Sequence, residues 1–191
     1  DVNKSQDPET QKLVKNEVIY ILPGRQPGAR LKAEILRVSG DEADAQVYES
    51  TSGIGLGDPV EQSGRLLSVT LGPGLLGQVY DGLQNPLEAL ARGHGVFLPR
   101  GVETDGLDLA AKWSFTPAVR IGDQVTGGDT LGAVPEGRIH HKIMAPFDIN
   151  EPVEVTWIRD GSVTVDEPVA RLRDAAGRER VARLAQEWPV R

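Results

Sequence analysis

The glycines from Gly72 to Gly77 come closest to a known ligand-binding motif in residue type and spacing. They follow a segment typical of a strand. Gly72, Gly74 and Gly77 have the spacing of the dinucleotide fingerprint, in which glycines let the backbone approach a pyrophosphate at the start of a helix. That fingerprint also needs a long crossover helix and an acidic residue about 20 positions further on. Here the chain turns again at Asp81-Gly82, so the sequence favours a structural loop of glycine and proline.

The same glycines fall short of a P-loop. Gly72 and Gly77 have the right separation, but Gln78 and Val79 stand where a P-loop has its lysine and its serine or threonine. Without the ammonium group nothing reaches the β- and γ-phosphates, and without the hydroxyl Mg²⁺ loses its protein ligand. We therefore expect no catalytic, cofactor-binding or metal-binding residue in this polypeptide, and no ATP hydrolysis by it alone.

A second candidate site is a modified lysine. The segment that begins at Gly122-Asp123 resembles the entry hairpin of biotinyl and lipoyl carrier domains, which present such a lysine on a tight turn. Lys142 is the nearby candidate, although its neighbours His141 and Ile143 are not the usual flanking pair. The pattern favours a strand–turn–strand structure without attachment, and a carrier domain modified at Lys142 stays open as the alternative.

The histidines give weaker evidence for a functional site than the glycines or the lysine. The chain has three histidines, His94, His140 and His141, and the adjacent two point to opposite faces if they lie on a strand. A zinc site would need carboxylates that the pattern does not place beside them. No Gly-x-Ser-x-Gly elbow of a hydrolase is present either.

Composition narrows the function further. The 191 residues include 21 Lys and Arg against 28 Asp and Glu, a formal charge of −7, which argues against a nucleic-acid partner. The 22 glycines and 13 prolines indicate a turn-rich, mainly β protein. The absence of cysteine excludes disulfides and thiolate sites and favours the cytoplasm. No apolar run is long enough to insert into a membrane.

Short apolar runs separated by Gly and Pro turns organise the chain into two β-rich modules. The predicted parts are a mobile tail at 1–16, a small β-barrel, complete or incomplete, at 17–70, a Gly-Pro loop with one short helix at 71–93, and a β-rich module at 94–191. The predicted strands are Val18–Leu22, Leu31–Val38, Ala43–Tyr48, Leu66–Leu71, Gly95–Leu98, Leu131–Val134, Ile139–Met144, Val153–Ile158, Ser162–Val165 and Val169–Leu172. Leu31 and Ala33 alternate with Lys32 and Glu34, which predicts one buried and one solvated face.

The helix has clear end signals. Asn85 is placed to cap the helix, and Pro86 is placed to occupy its first position. Glu88 lies three residues after Asn85 and would complete a capping box, and Gly93 is expected to end the helix.

The last segment is ambiguous. Val181, Leu184 and Trp188 have helical spacing, but the turn residues from Asp174 to Gly177 favour a hairpin. Six arginines between residues 171 and 191 outnumber three local carboxylates, so this segment could dock an acidic partner or form a solvated hairpin face.

Several motifs in one order carry a family resemblance. Residues 71–87, LGPGLLGQVYDGLQNPL, closely resemble the signature of the catalytic A subunits of V-type and archaeal-type rotary ATPases. Gln46–Gly53 resembles the end of the N-terminal barrel of these proteins. Lys112–Pro117, Gly122-Asp123 and His141–Pro146 resemble their inserted bulge, and WPVR at 188–191 resembles the return to the main body. The resemblance covers Val18 to Arg191.

This resemblance implies a part of an enzyme whose chemistry lies elsewhere. The family's P-loop domain, which binds Mg-ATP or ADP, is expected after Arg191, so the chain looks like an N-terminal piece of a longer parent protein. In the parent enzyme, three A and three B subunits alternate in a ring that couples ATP hydrolysis or synthesis to H⁺ or Na⁺ transport. The barrel belongs to the collar of that ring, and the bulge is implicated in contacts with the peripheral stalk, outside the membrane.

The resemblance also implies structural or interaction roles for individual residues. Gly72, Pro73 and Gly74 would shape the chain reversal between barrel and bulge, and Tyr80 and Asp81 would lock that turn. The full set of such residues is Gly72, Pro73, Gly74, Tyr80, Asp81, Gly82, Pro86, Gly122, Asp123, His141, Lys142 and Pro146.

Overall fold

A computed structural model describes residues 13–26, 28–40, 42–95 and 100–190 of the chain. Most of the predicted tail at 1–16, and the predicted strand Gly95–Leu98 apart from its first residue, lie outside the described residues. Within them the protein is mainly β with one short helix, as predicted. The strands are β1 (Glu17–Ile21), β2 (Leu31–Ser39), β3 (Glu42–Val47), β4 (Val60–Leu66), β5 (Ser68–Leu71), β6 (Trp113–Pro117), β7 (Gln124–Val125), β8 (Thr130–Glu136), β9 (Ile139–Met144), β10 (Val153–Ile158), β11 (Gly161–Val163), β12 (Pro168–Arg173), β13 (Glu179–Arg183) and β14 (Gln186–Pro189).

The described residues divide into two compact units, and neither is a single stretch of chain. The first contains residues up to 68 together with 91–103 and 189–190. The second combines residues 69–90 with 104–188. The predicted segments 17–70, 71–93 and 94–191 follow the chain order and stay a prediction about modules.

The first unit is built on one antiparallel sheet with strand order β3-β2-β1-β4. Its small core contains Ile19, Ala33 and Ile35, so the predicted apolar face of β2 is buried. In its described part the sheet ends at β3 and β4 and does not close into a barrel.

The predicted solvated face of β2 is wrong at one position. Glu34 is only 2% exposed, because it takes a place in the interior where the Tyr48 hydroxyl donates to its carboxylate at 2.7 Å. A buried carboxylate with a hydrogen-bond donor is tolerated where an unpaired one is not.

The second unit contains two four-stranded sheets and the two-stranded pair of β14 with β5. The sheet orders are β13-β12-β10-β7 and β11-β6-β8-β9. Both four-stranded sheets contribute to one apolar core, because alternate residues of each strand turn inward. The largest fully buried members of this core are Phe115, Leu131, Ile143, Leu172, Val134, Val155, Val163, Val165 and Val169.

The ambiguous last segment is a hairpin, as the turn residues predicted. β12 and β13 pair antiparallel, with Arg173 opposite Glu179. Asp174 accepts hydrogen bonds from the backbone N–H groups of Ala176 and Arg178, both at 2.9 Å, which fixes the turn between the strands. Gly177 takes the left-handed conformation that this turn requires, with φ +81°.

The helix, α1 (Leu87–His94), differs from its predicted ends. It continues through Gly93, and Gly95 takes the left-handed position after its last turn, with φ +72°. Asn85 precedes the helix, but its side chain bonds Asp81 and Thr104 instead of capping the first helical turn. Tertiary contacts therefore outweigh the local capping pattern.

Candidate functional site

The Gly-Pro loop that follows β5 lies tightly against the rest of the second unit. A Cβ on Gly72 would come within 3.1 Å of the Ala185 backbone and of the Leu107 side chain. Gly74 has φ +103°, a conformation that side chains rarely adopt, and its Cβ would lie 3.4 Å from the Trp113 ring. Pro73 is buried between them. The two glycines thus let the loop backbone pack closely against other residues of the same unit. In a nucleotide-binding loop, the glycines would instead let the backbone approach a phosphate.

A carboxylate from a distant strand holds this loop. Glu136, at the end of β8, is 9% exposed, and its Oε1 accepts a hydrogen bond from the Gly74 backbone N–H at 2.6 Å. Its other oxygen lies 2.7 Å from Nδ1 of His141 on β9. One side chain therefore connects the Gly-Pro loop to the β8–β9 hairpin. His141 was singled out from the sequence, whereas Glu136 was missed, because nothing local relates it to a glycine 62 positions earlier in the chain.

Tyr80 lies in the same neighbourhood. Burial raises the pKa of the Tyr80 phenol, and the negative charge of Glu136 raises it further. The Tyr80 hydroxyl is buried and has no hydrogen-bond partner among the described residues. Its backbone forms an isolated antiparallel bridge with Pro86, so both ends of the loop between them are fixed.

Asp81 organises that loop from within. Its Oδ1 accepts from the backbone N–H groups of Leu83 and Asn85 at 2.9 and 2.8 Å, and its Oδ2 accepts from the Asn85 side-chain amide at 2.9 Å. These bonds are typical of an Asx turn, in which a short carboxylate replaces a backbone acceptor. Gly82 has open space where a Cβ would lie, so sterics do not require glycine there.

Two amide side chains in the loop complete the network. Asn85 is 5% exposed. Its Oδ1 accepts hydrogen bonds from the backbone N–H of Thr104 at 3.0 Å and from the Thr104 hydroxyl at 3.2 Å. Gln84 bonds both the N–H and the C=O of Thr70, each at 2.6 Å, and so pairs with β5 as a neighbouring strand would. Gln84 has φ +64°, which the sequence pattern did not indicate.

The Gly122-Asp123 motif belongs to a pair of similar turns. Asp123 accepts from the Arg120 backbone N–H at 2.7 Å, and Asp129 accepts from the Thr126 backbone N–H at 2.7 Å and hydroxyl at 2.8 Å. In each turn the carboxylate bonds the residue three positions earlier. Gly122 has φ +94°, a backbone conformation that residues with a Cβ rarely adopt. The turn therefore favours glycine at this position.

The second of these turns predicts a pH dependence. The Thr126 backbone N–H, helped by its hydroxyl, lowers the pKa of Asp129 below its usual 3.8. A carboxyl whose pKa is lower in the folded state stabilises the protein above its unfolded pKa and loses that contribution as the pH falls through the folded value. As the pH is lowered from about 5 to about 2, we expect the free energy of unfolding to fall less in Asp129→Asn than in the original chain.

Urea unfolding at these pH values measures the effect. Asp160→Asn is the matched control, since no described residue forms a hydrogen bond or an ion pair with the Asp160 side chain. An equal acid sensitivity of Asp129→Asn and the original chain would contradict the assignment.

The remaining predicted residues lie on or beside β9. His141 is opposite Val134 and bonds Glu136, while Lys142 is exposed and opposite Ala133. The Pro146 carbonyl accepts from the Ile149 N–H at 3.2 Å and leaves no room for a Cβ on Gly127, which would approach it to 3.0 Å.

The position of Lys142 does not fit a carrier domain. It lies within β9, whereas the tight turn between β8 and β9 is formed by Gly137 and Arg138. The alternative of a lysine modified on a turn is therefore not supported.

In chemical terms the loop is a packing junction inside one unit. Gly74 offers the N–H group that a phosphate would need, but Glu136 already accepts from it, and a carboxylate there repels a phosphate. No group of three or more His, Asp or Glu residues in the described ranges could hold a metal ion. Helices long and apolar enough to cross a bilayer are likewise not found in the described part.

Comparison with known proteins gives two domain matches. Residues 7–64 match the family described as ATP synthase alpha/beta family, beta-barrel domain. Residues 104–191 match the ATPsynthase alpha/beta subunit barrel-sandwich domain.

Whole relatives match across both regions. V-type ATP synthase alpha chain 1 of Treponema pallidum (strain Nichols) is 52% identical over 177 residues, which is 92% of this chain and 30% of the relative. The V-type ATP synthase alpha chains of Borrelia recurrentis (strain A1) and Treponema denticola are 49% and 46% identical over the same shares. The chain thus spans about 30% of the length of the curated relatives it matches.

Proposed function

The chain belongs to the alpha-chain family of V-type ATP synthases, and from this premise we propose that its described residues serve the assembly of a rotary ATPase rather than nucleotide chemistry. In this proposal the parent enzyme couples ATP hydrolysis or synthesis to H⁺ or Na⁺ transport. Mg-ATP and ADP bind to a part of the parent protein other than the residues described here. The chain works in the cytoplasm, in the sector of the enzyme outside the membrane.

The observation that carries the proposal is the bond between Glu136 and Gly74. A phosphate-binding loop directs free backbone N–H groups into an open space and places a cation beside them. Here the Gly74 N–H is bonded by a carboxylate at 2.6 Å, and Gly72 and Gly74 lie against Ala185, Leu107 and Trp113. The loop that comes nearest to a nucleotide motif is therefore used for internal packing.

The partners in this proposal are the B subunits and the other A subunits of a hexameric ring, together with the peripheral stalk. Support comes from the two matched domain types and from the first unit, where β3 and β4 lie at the two ends of an open sheet. Their residues are almost all exposed, so their surface is available to neighbouring chains.

The proposal is tested by two binding measurements on the 191-residue chain. Isothermal titration with Mg-ATP and with Mg-ADP should give no saturable heat, and size-exclusion chromatography with purified B subunits or stalk subunits should give a co-eluting complex. A full-length alpha chain from a relative serves as the positive control for the titration. Micromolar binding of Mg-ATP would refute the proposal. So would the absence of a complex with any of these subunits.

A further inference from the structure

One face of the sheet β11-β6-β8-β9 carries a lysine, a histidine and hydroxyl groups but no carboxylate. Phe115, Val134, Ile143 and Val163 of these strands are buried, so their sequence neighbours point outward. The register places outward residues side by side, with Thr116 opposite Ala133. We define the β9 face as the outward residues Ser114, Thr116, Ala133, Pro135, His140 and Lys142.

The charge on the β9 face is uncompensated. The four strands contain one carboxylate, Glu136, and it turns inward to Gly74 and His141. Lys142 and His140 are exposed two residues apart on β9, and Arg138 is exposed in the adjoining turn. Among the described residues none forms an ion pair with these three side chains. In a chain with a formal charge of −7, such a face is unusual.

The arginine-rich last segment differs in this respect. Arg178 pairs with Asp174 at 2.7 Å, and Arg180 pairs with Asp148. Arg173 lies opposite Glu154 on one side and Glu179 on the other.

Arg171 lies 5.9 Å above the ring of Trp157. These four arginines therefore have carboxylates or an aromatic ring beside them, whereas the outward side of the other sheet has no carboxylate of its own.

We propose that the β9 face binds an acidic segment of a partner protein. The inference rests on the proposed function, which supplies the class of partner. Small side chains, such as Ala133 and Ser114, let a partner approach the sheet closely, while Lys142, His140 and Arg138 donate to carboxylates along one border. Side chains two residues apart on a strand are separated by about 6.8 Å, which suits a row of acidic side chains.

The partner is a protein segment rather than an extended polyanion. Nucleic acids and anionic membranes present phosphate charge over a wide area, and the net charge of −7 opposes their approach. A short acidic segment contacts the β9 face without meeting the acidic remainder of the surface.

The test uses a synthetic peptide of alternating Glu and Ala as the probe. In a ¹⁵N NMR titration at low salt, the amide shifts should concentrate on the β9 face. The double variant Arg138→Glu/Lys142→Glu should weaken peptide binding by about tenfold or more, since two attractions become repulsions. The matched double variant Arg171→Glu/Arg173→Glu, on the other sheet, should change it less than about twofold.

The inference is overturned if the shifts lie on β12 and β13, if both double variants weaken binding equally, or if single-stranded RNA or anionic vesicles bind the β9 face more tightly than the peptide does. A second arm separates this inference from the proposed function. If the original chain binds B subunits or stalk subunits and the β9-face variant binds them equally well, the inference fails while the proposed function stands. If the original chain binds neither kind of partner but the peptide maps to the β9 face, the proposed function fails instead.

Discussion

Replacing Glu136 with alanine is expected to lower the free energy of unfolding of the second unit by about 3 kcal/mol, because the change leaves the Gly74 N–H and the His141 ring without their shared acceptor. The Glu136 side chain is 8% exposed, so water replaces it poorly. The Gly-Pro loop should also become mobile, since the hydrogen bond that ties it to the β8–β9 hairpin is lost.

Urea unfolding followed by tryptophan fluorescence measures this effect in the right place. All three tryptophans, Trp113, Trp157 and Trp188, lie in the second unit. The matched control is Glu154→Ala, which removes the same carboxylate from an exposed strand position and should cost less than about 1 kcal/mol.

Glu136→Gln separates shape from charge, because its amide oxygen still accepts from Gly74. We expect it to lose less stability than Glu136→Ala. Amide exchange at Gly74 should accelerate in Glu136→Ala and stay slow in Glu136→Gln. Equal losses for Glu136→Ala and Glu154→Ala would show that the bridge does not stabilise the unit.

Much of the β architecture could be predicted from local pattern. β9 and β10 have the predicted ends, Ile139–Met144 and Val153–Ile158, because the turn residues that bound a strand are local signals. The terminal hairpin follows from Asp174 and Gly177 for the same reason. The family resemblance is confirmed by relatives 46–52% identical over 92% of the chain.

Strand β4 could not be predicted in this way. Its sequence, VEQSGRL, shows no apolar alternation, and nearly all of it is exposed. It pairs with β1 with the help of Glu17, a buried carboxylate that accepts from the Gly64 N–H at 3.0 Å and the Gln62 amide at 3.4 Å. A strand held by a carboxylate more than 40 residues away leaves no mark on its own local pattern.

The candidate site shows the same limit. The glycines and Asp81 mark the Gly-Pro loop because turns depend on local residue types. The partners that hold the loop, Glu136 and Gln84, are ordinary polar residues in the sequence, and only the fold brings them to Gly74 and Thr70. The interaction roles assigned to the loop residues in the assembled enzyme stay predictions.

The second large effect is expected at Gly132, in β8. A Cβ at this position would lie 2.4 Å from Cζ of Phe115 and 2.5 Å from the Thr116 carbonyl oxygen, both far inside contact distance. Phe115 is completely buried, so its ring has no free space to enter, and the carbonyl belongs to the backbone of β6. Gly132→Ala should therefore cost about 3 kcal/mol or more by forcing β6 and β8 apart.

A rescue experiment distinguishes this clash from a general effect of the substitution. Phe115→Ala alone should cost about 3 to 5 kcal/mol through the cavity that it leaves. Adding Gly132→Ala to it should then cost less than in the original chain, because the contact with the ring is gone and only the contact with the Thr116 carbonyl oxygen remains. Gly82→Ala is the matched control, since nothing lies within 4 Å of its Cβ position, and it should change stability by less than about 1 kcal/mol. Strict additivity of the two losses would show that Phe115 does not determine the need for glycine at position 132.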